Sequence, residues 1–138
     1  MKNDLKRDNN WLLSRLDLIW EKHFQDITQT NKVFLKFGRY SRLRLGSIKL
    51  DKRSGHTQIT ITSMFKELSV PTEVVDHTIG HELAHYAQGF SSPHPKLHRY
   101  PHEGGVVKRE LMARGFHSEL KVYQKWINSY KKKLYERN

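Results

Sequence analysis

Apolar residues recur three or four positions apart over residues 4–27. Trp11, Leu12, Leu13, Leu16, Ile19, Trp20 and Phe24 mark one face of a helix there and read as core. A polar break at 28–31 ends this pattern, and the period then drops to two. Residues 33–37 predict a first strand, closed by Gly38. Residues 42–50, where Arg42, Leu43, Arg44 and Leu45 alternate, predict a second strand with one solvated face. A turn at 51–55 leads to Thr57, Gln58, Ile59, Thr60, Ile61 and Thr62, the cleanest alternation in the chain. Pro71 opens a further helix, with Glu73 at the positive end of its dipole. It runs to about Gln88, with Gly89 as its C-cap. Serines and prolines make 90–101 a loop, and 103–114 predict a shorter helix stopped by Gly115. Ser118 caps a last helix over 118–138, whose apolar face carries Val122, Tyr123, Trp126, Ile127 and Tyr130. The order α-βββ-α-loop-α-α predicts an α+β fold in one domain spanning 1–138.

Composition narrows the chemistry. A chain of 138 residues suits one hydrophobic core. Three Trp, six Tyr and six Phe argue against general disorder despite a charged fraction of 28%. There is no cysteine, which excludes disulfides, thiol nucleophiles and Cys-based zinc ribbons. Any metal site must therefore be built from His, Asp or Glu. The first residues mix charges of both signs without an apolar signal region, and apolar runs are short. The expectation is a soluble cytoplasmic protein with no membrane partner. Lys and Arg outnumber Asp and Glu by 25 to 14, a net charge of +11. That suits attraction to a polyanion such as DNA as well as simple solubility.

The chemistry concentrates at His81-Glu82-Leu83-Ala84-His85, an H-E-x-x-H pattern inside the predicted helix. Four helical residues rise about 6 Å and turn slightly more than once, so His81 and His85 project from one face onto a common metal. Glu82 lies about 100° around the helix, placed to take a proton from a water on that metal and pass it to a leaving amine. Val75, Ile79, Gly80, Leu83, Tyr86 and Ala87 form an apolar arc that excludes both histidines. A helix with its back in the core and two His facing a cleft is what a metal site needs. A catalytic zinc needs a third protein ligand and an open position. The downstream candidates are His94, His98, His102, Glu103, Glu110 and His117, and His102, at the loop's end just before a helix, is favoured. Tyr86, Arg99 and Tyr100 are unranked candidates for polarising a substrate carbonyl.

With these residues in view the sequence resembles the SprT-like zinc metallopeptidases and, more loosely, YgjP-type and minimal gluzincin domains. The likeness rests on Gly46 and Ser47, on Ile59 to Thr62, and on the approach from Val70 through Asp76 into the H-E-x-x-H core. His102-Glu103-Gly104-Gly105 is similar to the family's His-Gly third-ligand element. It covers roughly residues 34–115, and only the H-E-x-x-H core is sharply specific. The resemblance implies a compact zincin-like fold, one catalytic zinc per chain and peptidase activity, in relatives that include enzymes acting on DNA-bound proteins. Two departures matter. The Cys-based ribbon that often follows such domains is absent, and the His-Gly element is one residue looser, which leaves Glu103 open as the third ligand.

The resulting expectation is a zinc endopeptidase with Glu82 as base and His81, His85 and His102 as ligands, cleaving extended protein or peptide segments. Such a substrate can be held as an added strand, with 57–62 as the expected edge. The alternative is a nucleic-acid-binding protein with a structural or dormant zinc. It draws on the tail, where Lys121, Lys125 and Lys131 to Lys133 interleave with aromatic residues.

Overall fold

A computed structural model describes residues 6–136 of the chain. The first helix, α1 (Asn9–His23), starts where the Asp8 carboxylate accepts the Trp11 backbone N–H at 2.9 Å. It is shorter than the 4–27 pattern suggested. Its predicted start at Asp4 lies outside the described residues, and residues 24–27 leave the helix at Phe24. Leu12, Leu16 and Ile19 are buried as expected, whereas Leu13 is exposed. The next elements are the strands β1 (Val33–Phe37), β2 (Gly46–Leu50) and β3 (Thr57–Ile61), then helix α2 (Thr72–Ala87). Helices α3 (Val106–Ala113) and α4 (His117–Glu136) follow. Among the described residues four helices and a small mixed sheet make an α+β fold.

The sheet order is β1-β3-β2, with β1 parallel and β2 antiparallel to β3. This corrects the edge expectation. β3 is the central strand and spends its backbone groups on both neighbours, so it has no edge to offer. Its clean alternation reflects two unlike faces: Thr57, Ile59 and Ile61 are buried, while Gln58 and Thr60 are half-buried. The registers align rows across the buried face, Leu35-Ile59-Ile48 and Phe37-Ile61-Gly46. The second row ends on a residue without a side chain.

β2 is also shorter than predicted. Residues 42–45 are not strand, because the chain before Leu45 is held elsewhere: the Ser41 N–H donates to Thr62 Oγ1 and the Tyr130 hydroxyl to Arg42 C=O. Alternating basic and apolar residues suited a loop pinned over α4 as well as a strand.

α2 is the axis of the molecule, with α1, β2, β3, α3 and α4 all packed against it. It is buried nearly all round, and Ile79, Leu83 and Tyr86 are almost fully enclosed. Each such side chain contributes roughly 1.5–3 kcal/mol by leaving water. The predicted amphipathic arc is therefore too narrow, since His77, Glu82 and His85 are buried as well.

Beyond α2, the predicted helix 103–114 divides. Residues Glu103–Gly105 make one tight turn, and Gly104 and Gly105 adopt positive φ of 52° and 69° before α3 begins. α4 starts at His117, with Leu120 N–H donating to Phe116 C=O, so Ser118 sits in the first turn and is not the cap. Its last two predicted residues, 137 and 138, lie outside the described residues. Trp126 and Tyr130 stack on each other at 4.7 Å, and Trp126 packs against Phe65, which places both with the core. Among the described residues no helix is long and apolar enough to cross a membrane.

Candidate metal centre

α2 carries His81 and His85 one turn apart, and the third histidine is delivered by the loop that follows. That loop is tied down along its length. Phe90 N–H donates to His85 C=O, Ser92 Oγ to Tyr86 C=O, and Leu97 N–H to Gln88 C=O, at 2.7–2.9 Å. The Glu103 carboxylate accepts the Tyr100 N–H at 2.8 Å, and the two left-handed glycines then turn the chain into α3. His102 is thus held between an anchored loop and a packed helix.

The result is a triangle of imidazole nitrogens. His85 Nε2 stands 3.0 Å from His102 Nε2, and His81 Nε2 stands 3.2 Å from each of the other two. Three nitrogens at hydrogen-bonding distance cannot all satisfy one another with protons. The spacing suits a shared cation: at Zn–N distances of about 2.0–2.1 Å, tetrahedral ligands stand about 3.3 Å apart. His81, His85 and His102 are therefore close enough to hold a metal ion. Burial, helped by neighbouring His85, His77 and His102, holds the His81 imidazole down at about 3, and burial and His102 hold His85 at about 4. Both rings are neutral at physiological pH, the form that offers a lone pair to a metal.

Glu82 is buried, and burial pushes its carboxyl up to about 7 against the opposing pull of Arg44. A cation on the adjacent imidazoles would draw that value back down. The carboxylate faces a cavity of about 250 Å³ that also reaches Gly46, His77, His81, Tyr123 and Lys131, so it can meet a ligand lying beside β2.

Gly46, one of the residues on which the resemblance rests, lies against the Glu82 carboxylate. A Cβ there would lie 2.8 Å from Thr78 Cγ2 and 3.0 Å from Glu82 Oε2. Glycine at the end of the Phe37-Ile61 row is what lets β2 run this close to the carboxylate. Its signal was a glycine in a strand pattern, which marks close backbone approach. Gly46→Ala is expected to destabilise the fold by about 1–3 kcal/mol through overpacking. It should also displace Glu82 while leaving the three histidines in place. A thermal melt read beside zinc content checks this: unchanged stability would show that the strand has room to spare.

His77 was missed, although it stands four residues before His81. It is buried, stacks on Tyr123 at 3.8 Å, and its ring centroid lies 6.3 Å from that of His81. Burial lowers it to about 4, so it is a neutral spacer between α2 and α4.

The other ligand candidates are placed elsewhere. His94 Nε2 contacts Thr28 C=O at 2.6 Å, which makes it an N–H donor in a structural bond. Glu103 is occupied by Tyr100, and Glu110 by Arg114 and Gln88 at 2.8 Å each. His98 and His117 fall outside the cluster. Tyr86 is fully buried and donates its hydroxyl to Asn31 Oδ1, which removes it as a carbonyl-polarising group. Arg99 lies over the ring of Tyr100 on the exposed loop. No family model, curated protein or solved structure matches this chain.

Proposed function

We propose that this chain is a zinc-dependent endopeptidase of zincin-like architecture, similar to the SprT-like peptidases and acting on extended protein segments. One observation carries the reading: three imidazoles converge to 3.0–3.2 Å, and the residue after the first of them is a buried carboxylate. An all-imidazole set fits zinc better than magnesium or calcium, which prefer oxygen. Zinc held by His81, His85 and His102, one per chain, would polarise the scissile carbonyl and acidify a water for attack. The chain's own residues do the rest. Glu82 takes the proton and returns it to the amine as the peptide bond breaks, and its buried setting keeps it basic enough to do so.

The substrate edge in this reading is β2 in place of β3. Flanking bonds from Thr62 N–H to Leu45 C=O and from Asp51 N–H to His56 C=O set the parity of the ladder. Ser47 and Lys49 therefore face β3, while Gly46, Ile48 and Leu50 turn their backbone groups outward. The Ile48 C=O takes a 3.4 Å contact from Ser91 Oγ, and Gly46 remains beside Glu82 for an added strand. The purified protein is expected to hold about one zinc and to cleave a disordered substrate such as casein. Metal-free protein reconstituted with zinc yet inert on casein would refute the reading.

A second reading, binding of nucleic acid, is favoured by α4, where Lys132 and Lys133 are exposed and Tyr135 is 77% exposed. Lys131 borders the Glu82 cavity and belongs with the site. Exchanging Lys132 and Lys133 together for Ala should weaken sequence-independent binding of single-stranded DNA severalfold, with a shallower salt dependence, because fewer condensed counterions are released. Zinc content and casein cleavage should not change. A double variant that binds DNA like its parent would make this surface merely solvated.

A further inference from the structure

We propose that the open cavity between α2, α3 and α4, on the far side of His81, binds an acidic peptide segment. This inference rests on the peptidase reading only for its role in cleavage, where the segment would be the substrate residues next to the scissile bond. The cavity measures about 810 Å³ and is bordered by both His77 and His81, so it opens directly onto the metal triad. Its walls carry Lys108 from α3 and Lys121 and Lys125 from α4, and no aspartate or glutamate lines it. Lys121 and Lys125 stand one helical turn apart and face α3 from the same side of α4. None of these three lysines pairs with a carboxylate among the described residues, unlike Arg15 and Arg114, which are paired with Asp76 and with Asp26 and Glu110. Unneutralised charge of one sign in a concave, partly apolar site concentrates the local field and draws in the opposite charge.

The floor decides which anion fits. Met112 and Leu120 present apolar surface on which the methylenes of a glutamate can lie, with its carboxylate among the ammonium groups. A nucleic acid would want an open aromatic face for its bases, and the one Tyr, Trp or Phe ring lining the cavity, Tyr123, already has His77 stacked on it at 3.8 Å and 18°. Selectivity should follow charge: acidic segments are favoured, neutral ones are weaker, and basic ones are excluded.

The test uses full-length Glu82→Gln protein loaded with zinc and three fluorescent peptides differing only in a Glu, Gln or Lys pair. The acidic peptide should bind about tenfold tighter than the neutral one at low salt, with the lysine peptide weakest. Reversing Lys108, Lys121 and Lys125 to Glu should invert that order. These side chains are exposed, so a thermal melt should find the variant folded, and graded Lys→Gln exchanges give the same answer with less perturbation. In the unmodified protein, kcat/KM on cleavable versions should follow the binding order. Equal binding of acidic and neutral peptides, or a preference that survives charge reversal, overturns the proposal. So does an oligonucleotide whose binding needs the three lysines and which the acidic peptide cannot displace. Casein cleavage without any charge preference would sink this cavity and leave the peptidase reading standing. Charge-selective binding without cleavage of any peptide would do the reverse.

Discussion

Glu82→Gln is expected to keep its zinc and its melting temperature and to lose casein cleavage by about 10²–10⁴-fold, the usual worth of a positioned proton-transfer group. The amide has nearly the shape of the carboxylate, so Gly46, which approaches it closely, is undisturbed. Glutamine cannot accept the proton, and Glu82 is too buried for bulk water to take over the task. Fold and metal should also be indifferent to the change. Glu82 is no part of the histidine triangle, and burial already disfavours its charged form. A neutral side chain at this site therefore removes a desolvation penalty and adds none. Turnover equal to the parent's, measured on protein of matched zinc content, would show that the carboxylate is structural or that a contaminant cuts the casein.

Removing any one of the triad should cost at least a hundredfold in zinc affinity. If tetrahedral zinc binding is worth on the order of 10–16 kcal/mol, each ligand carries roughly 3 kcal/mol. His85→Ala should be the most damaging, since His85 is buried on α2 and stands nearest to His102. His102→Ala should be comparable, while His94→Ala and His98→Ala should leave zinc in place, because neither belongs to the cluster. The same variants predict a stability signature. Ligand binding to the folded state alone adds about 4 kcal/mol at a thousand times Kd, which corresponds to roughly 10 °C in Tm for a chain of this size. Chelation should lower the parent's Tm by about that amount and leave His85→Ala unmoved. Stoichiometric zinc in His85→Ala and in His102→Ala would move the metal elsewhere, and damage confined to Glu103→Ala or Glu110→Ala would make it a glutamate-type site.

Much of this architecture is written in local spacing. The pair His81 and His85 meets because four helical residues return to the same face, a relation that needs no knowledge of the rest of the chain. The same holds for the alternation that makes 57–61 a strand, and for the Pro71 and Glu73 signals that open α2. Where two local rules compete, the reading slips. Arg42 to Leu45 alternate like a strand, but Tyr130 and the Thr62 side chain, residues far off in sequence, hold Arg42 and the neighbouring Ser41 out of the ladder.

Tertiary structure alone decided what depends on distant segments meeting. His102, Glu103 and Glu110 were all admissible as the third ligand, because the span from His85 to His102 holds no periodicity to fix its path. Its backbone anchors and the Gly104-Gly105 turn bring His102 to the triangle, while Arg114 and Gln88 claim Glu110. Strand order was beyond the sequence for the same reason, since alternation records which face is buried and not which neighbour supplies the hydrogen bonds. The closeness of Gly46 to Glu82 and the stacking of His77 on Tyr123 join residues more than thirty positions apart. Such contacts form only when the core closes, because side-chain periodicity along one segment carries no information about the partner that will pack against it.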